Sequence, residues 1–173
     1  MKLEIHQRLT ELSAASGKEY GKLVQKLLAI ALLESGAEAL TDRSTQGIDL
    51  EATVKGKRRA LEVKTTESGA LSLGKKDLEG LASKEADGAR AYVAVLGNRF
   101  LDEWTFARFH KVELQPSQSY SITQLRPYRD HELERAVARF FDDAVLTHAD
   151  AAARGGQPAL DAVLTAHPQY RRA

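Results

Sequence analysis

The chain has no cysteine, only four prolines, a single tryptophan and almost no charge excess in 173 residues. Each shortage excludes something. Without cysteine there is no disulfide framework, no thiolate zinc site and no cysteine nucleophile, so any metal must be held by oxygen or imidazole. The five histidines have no short spacing that makes a zinc site. No apolar run is long enough for a membrane span, and the N-terminal stretch MKLEIHQRLTEL mixes charge with spaced apolar residues instead of forming a signal peptide. The expectation is a cytoplasmic chain with no membrane partner. A net charge of +1 cannot by itself imply nucleic acid, which would need a local basic patch. What is present, 43% hydrophobic and 28% charged residues, suits one globular domain over residues 1–173 with a core of its own.

Apolar spacing predicts a short helix over residues 3–14, from Ile5, Leu9 and Leu12. A second follows Ser16, whose spacing to Glu19 is that of a capping box, with Tyr20, Leu23, Val24, Leu27, Leu28 and Ala31 on its apolar face and Gly36 as its stop. AEALTD, Ile48 to Val54 and Arg59 to Thr66 read as strands. A helical pattern from Leu73 to Ala86 leads to RAYVAVL, residues 90–96, an apolar run of the kind buried on both faces. Strand, crossover helix and buried strand make a βαβ unit with parallel strands. TFARFHKVEL and SYSITQL read as two more strands. Leu133, Val137, Phe140, Phe141, Ala144, Val145 and His148 form a long helical stripe ending before Gly155 and Gly156, and Pro158 opens a last helix. The fold class is α/β, a central mixed β-sheet flanked by helices, with a core over residues 16–112 and a C-terminal helical extension over 128–173. The stripe over 133–148 is wider than a monomer needs, which suggests a homodimer. Trp104, with Phe100 and Phe106 nearby, suits core packing better than base stacking.

GIDLEATVKGKRRALEVK, residues 47–64, carries the chemistry. A two-residue loop at Lys55 and Gly56 pairs Val54 with Lys57, and the same register sets Leu50 against Leu61, Ile48 against Val63, Asp49 against Glu62 and Gly47 against Lys64. Asp49, Glu62 and Lys64 then share one face, opposite the apolar residues. Adjacent carboxylates repel unless a cation or proton sits between them. Magnesium suits two carboxylates and a backbone carbonyl such as that of Val63. Lys64 could orient or deprotonate a water, or neutralise charge on a phosphate, which is the chemistry of phosphodiester hydrolysis. Carboxylates and lysines also decorate the wet face of ordinary hairpins, and spacing alone leaves that reading open.

The stretch GIDLEATVKGKRRALEVKTT resembles the catalytic core of the PD-(D/E)XK nuclease superfamily, in which an acid follows a glycine on one strand and an E-x-K tripeptide lies on the next. Here these are Asp49 and Glu62-Val63-Lys64, with Ile48 where the name-giving proline would stand. The order of elements from Ser16 to Leu96, a restriction-endonuclease-like α-β-β-β-α-β core, is similar to that of Holliday-junction resolvases. The resemblance implies a metal-dependent endodeoxyribonuclease of restriction, repair or recombination, with Mg²⁺ or Mn²⁺ on Asp49 and Glu62, and Lys64 serving the attacking water. It also implies a further acid on the preceding helix, for which Glu19 is the candidate by position. DNA is the implied partner, and Lys75, Lys76, Arg58 and Arg59 are candidate phosphate contacts. The rival readings are a non-catalytic DNA- or protein-binding module on the same fold, and an ordinary surface hairpin in an unrelated protein.

Overall fold

The leucine-rich segment that follows Ser16 is buried on every side in the computed structural model, which describes residues 2–42, 47–97 and 103–172. Helix α1 (Lys2–Ser16) leads through a 3₁₀ turn (Gly17–Glu19) into α2 (Tyr20–Glu34), where every residue from Leu23 to Leu33 is buried. Ser16 does not open α2. Its hydroxyl donates to the Leu12 carbonyl at 2.5 Å, so the serine closes α1, and the capping box expected with Glu19 does not form.

Strands β1 (Ala39–Asp42), β2 (Leu50–Val54) and β3 (Lys57–Thr66) form an antiparallel meander. The short β4 (Ala70–Ser72) precedes α3 (Lys75–Ala86), which crosses over to β5 (Arg90–Gly97), parallel to β3. Strand β6 (Trp104–Arg108) turns back antiparallel to β5, and its expected continuation is instead a 3₁₀ turn at Phe109–Lys111. The segment read as one strand over SYSITQL divides into β7 (Ser119–Ser121), paired with β4, and a one-turn helix α4 (Ile122–Leu125). Ser121 causes the change: its hydroxyl accepts from the Gln124 amide at 3.3 Å, and the Gln124 side chain accepts from the Ser121 amide at 2.8 Å.

Helix α5 (His131–Thr165) is two helical segments joined at Gly156, where φ 61° and ψ −153° break the helical path and Pro158 begins the second segment. The chain then adds β8 (Tyr170–Arg172), parallel to β1. The C-terminal extension, expected to be helical, is therefore helix plus strand. The main sheet has the order β6-β5-β3-β2-β1-β8.

Two apolar clusters cover its faces. The larger joins α1, α2 and α5 to Leu50, Ala52, Leu61, Val63, Tyr92 and Phe106. The smaller joins Leu81 of α3 and Leu125 of α4 to Ala60, Ala91, Val93 and Ala107. The stripe of α5 is consumed in the first cluster, with Leu133, Val137, Phe141, Ala144 and Val145 at 2% exposure or less, and α5 packs along α2 and α1. Its width therefore reflects two neighbours within the chain, and the sequence argument for a second copy falls away. Trp104 stacks 5.6 Å from Phe106 and meets Phe141 edge-on at 5.2 Å, so it is core; Phe100 lies outside the described residues.

Candidate active site

The turn between β2 and β3 sets the geometry. Lys55 (φ 51°) and Gly56 (φ 68°) are both left-handed, the requirement of a tight two-residue hairpin loop. The observed register runs from Val54 against Lys57 to Leu50 against Leu61, as the sequence reading has it, and there the ladder ends. Gly47, at φ 79°, bends the chain away toward α3, where a Cβ on it would stand 3.7 Å from the Lys76 carbonyl oxygen. The Asp49–Glu62, Ile48–Val63 and Gly47–Lys64 backbone pairs therefore do not form. Ile48 packs in the smaller cluster and Val63 in the larger, on opposite faces of the sheet.

Asp49 fills the gap that the departing strand leaves. Its Oδ2 accepts the Val63 amide at 2.9 Å, taking the place of a ladder carbonyl. In an extended strand the N–H and C=O of one residue leave by the same edge, so the Val63 carbonyl also faces the Asp49 side. Glu62, next in the chain, is 3% exposed; its Oε1 is 2.9 Å from Lys64 Nζ, and its Oε2 is buried without a hydrogen-bond partner. Burial, reinforced by the charge on Asp49, pushes the Glu62 carboxyl up to about 7. The Lys64 pKa also moves up, for a different reason. Burial alone would lower its pKa, but Glu62 and Asp77, the latter 3.0 Å away, together raise it above the usual lysine value.

Three contributors were not read from the sequence. Asp77, in the first turn of α3, accepts from both Lys64 and the Gly74 amide, tying the helix start to the site. Lys22 of α2 stands 3.1 Å from Asp49 Oδ1 and donates to Gln25 Oε1 at 2.9 Å. Gln25 in turn donates to the Asp49 carbonyl at 3.2 Å and to Asp42 at 2.6 Å. Polar Gln25 and Lys26, buried inside an otherwise apolar helix, are the signal that could have revealed this side of the site.

The other expected residues are distributed unevenly. Glu19 is not brought to Asp49 and Glu62; a Cβ on Gly156 of α5 would stand 3.6 Å from its Oε2. Lys75 and Lys76 are exposed at the start of α3, beside Asp77, and Lys75 makes a loose 3.7 Å pair with Glu79. Arg58 is four residues along β3 from Glu62, roughly 13 Å, and is held by Glu51 and Asp87, each at 2.8 Å. Arg59 corrects an expectation: it is 6% exposed, close to Asp130 (3.6 Å) and Tyr92, so its guanidinium serves the interior and presents no surface to a phosphate.

Among the described residues no group of three or more His, Cys, Asp or Glu side chains could hold a metal ion. The two acids and the carbonyl still fit a hard cation. The donor set is all oxygen, one carboxylate oxygen is buried and unpartnered, and the acid pair raises the cost of ionising Glu62.

No family model and no curated protein matches this chain. A solved structure does: the Holliday junction resolvase Hjc of Archaeoglobus fulgidus, 22% identical, with a TM-score of 0.54 over 66% of this chain and 95% of that one. The architecture is thus that of the resolvase and restriction-endonuclease-like α/β proteins. The likeness to the PD-(D/E)XK superfamily, first read from Asp49 and Glu62-Val63-Lys64, holds for the fold.

Proposed function

We propose that this protein is a metal-dependent endodeoxyribonuclease whose site is Asp49, Glu62, the Val63 carbonyl and Lys64. The observation that carries the reading is the unpartnered Glu62 Oε2, buried beside a second carboxylate and a lysine at the open end of a hairpin. A structural ion pair would not need that orphan oxygen. Asp49 and Glu62 would hold Mg²⁺ or Mn²⁺, which supplies charge stabilisation and a more acidic bound water. Lys64, protonated between Glu62 and Asp77, acts as an ammonium: it orients the attacking water and meets the charge that builds on the phosphate, in preference to acting as a base. Lys75 and Lys76 hold the DNA backbone and carry no sequence information.

The Hjc fold makes branched DNA one substrate to include, and cleavage of both strands would favour a two-fold assembly, which sedimentation at micromolar concentration tests. The deciding experiment compares wild type, Asp49→Ala and Lys64→Ala on plasmid, linear and four-way-junction DNA with Mg²⁺ or Mn²⁺. Metal-dependent cutting lost in both variants supports the nuclease. A second reading, a binding module without catalysis, draws on the lysine that each carboxylate already holds; DNA binding that ignores metal, with no cutting by any form, would favour it.

A further inference from the structure

Asp49 and Glu62 are each met by a lysine, but from different elements and in different settings. Lys64 comes from β3 itself, and its side chain is 28% exposed between two carboxylates. Lys22 comes from α2 and its side chain is 41% exposed, so its ammonium has a route to water. Its resting position is nonetheless built. Gln25, one turn on, accepts from Lys22 Nζ and is itself fixed by bonds to Asp42 and the Asp49 carbonyl, while Asp42 is held by buried Lys26 at 3.0 Å. The helix is held close to the site, since a Cβ on Gly21 would stand 3.7 Å from Thr65 Oγ1, next to Lys64.

This arrangement bears on how Asp49 can bind a cation. Its Oδ2 is committed to the Val63 amide, and its Oδ1 to Lys22. Any cation taking up Oδ1 competes with the ammonium for that oxygen and is repelled by it, like charges at short range in a partly buried setting. The two cannot hold the carboxylate equally well at once.

Building on the nuclease reading, we propose that Lys22 is a displaceable internal counter-ion: it neutralises Asp49 in the resting protein, and a divalent cation enters the site only as Lys22 leaves Oδ1. Metal affinity is thereby set lower than the two carboxylates alone would give. Lys22 keeps the acid pair tolerable without metal and frees a cation beside the site when metal arrives.

The test titrates Mn²⁺ alone into the full chain by calorimetry, and follows the melting temperature with and without Mn²⁺, for wild type, Lys22→Met, Lys22→Arg and Asp49→Asn. Methionine keeps the apolar stem and removes the charge. Lys22→Met is expected to bind Mn²⁺ about tenfold tighter than wild type, with a larger Mn²⁺-induced rise in melting temperature, as follows when ligand binds only the folded state. Lys22→Arg should stay near wild type and Asp49→Asn should lose binding. Tighter binding by Lys22→Met supports the proposal even if wild type binds too weakly to measure. If wild type binds Mn²⁺ through Asp49 while Lys22→Met binds no more tightly, the counter-ion role is overturned and the nuclease reading survives. If no form binds Mn²⁺, both fall together.

Discussion

Asp49 Oδ2 accepts the Val63 amide at 2.9 Å, so the acid that leads into β2 is tied to the residue between Glu62 and Lys64. One hydrogen bond thus brings the two carboxylates together where the ladder has ended. Asparagine can keep that acceptor while removing the charge. Asp49→Asn should fold with a stability change within about 1 kcal/mol, lower the titration midpoint of Glu62, and reduce metal-supported cleavage by about 10²-fold or more. Carbon-detected NMR of the Glu62 carboxyl group checks the midpoint, and an unshifted value would break the link between the two acids.

The raised pKa of Glu62 fixes a sign for stability. From its ordinary value of 4.5 up to about 7, the folded chain holds a proton that the unfolded chain has released. Stability from this group is therefore full below about pH 4.5, falls as pH rises toward 7, and levels off above it, a loss of about 3 kcal/mol at most. Burial comes first among the causes, then Asp49, with Lys64 opposing and Asp77 adding. Urea denaturation across pH 4.5–8 should show this fall in wild type and not in Glu62→Gln. Added Mg²⁺, which needs the ionised carboxylate, should stabilise more at pH 8 than at pH 5.5.

Asp77 acts through Lys64 and is a positioning residue. Asp77→Asn removes one of the two carboxylates that hold the ammonium, and weakens the bond to the Gly74 amide. The expected result is a Lys64 pKa nearer the ordinary value and a pH–rate profile whose alkaline limb moves down, with KM little changed. The weakened helix-start contact should cost no more than about 1 kcal/mol. A stability loss with an unmoved pH profile would make Asp77 purely structural.

Lys26 lies 3% exposed, 3.0 Å from Asp42 and 2.5 Å from Asp161 of α5. Removing one partner leaves a buried charge uncompensated, so Lys26→Met should cost about 3–5 kcal/mol and lower the melting temperature by roughly 10 °C. A change below about 1 kcal/mol would mean that the pair is far better hydrated than its burial implies.

The basic residues should separate by role. Lys75→Ala with Lys76→Ala should weaken DNA binding and flatten the salt dependence by about 0.9 per lost phosphate contact. Arg59→Ala should instead destabilise the fold and leave that slope alone, because its partners are Asp130 and Tyr92 inside the protein. Fluorescence anisotropy at several salt concentrations distinguishes the two outcomes.

Much of this architecture was legible because its causes are local. The glycine at position 56 sets the hairpin turn, the turn sets the register, and period-two alternation puts Glu62 and Lys64 on one face. The leucine spacing of α2 and the βαβ order were equally readable, and Gly156 with Pro158 marked the break in α5. The errors are of two kinds, local bonds and turns that the apolar spacing did not reveal, and partners supplied by distant segments. Ser16 satisfied its hydroxyl within α1, Gly47 turned Ile48 to the other face, and Arg59 found buried partners in β5 and at Asp130.

By itself, then, the sequence determined the helices and strands of the core, the hairpin register from Val54–Lys57 to Leu50–Leu61, and the shared face of Glu62 and Lys64, since each depends on residues a few positions apart. Only the tertiary structure decided that Lys22 and Asp77 would flank those acids, that Gln25 and Lys26 would be buried, and that β8 would join β1. Those placements depend on how α2, α3 and α5 dock on the sheet. Docking is set by the summed burial of many apolar side chains, and no spacing within one segment encodes it.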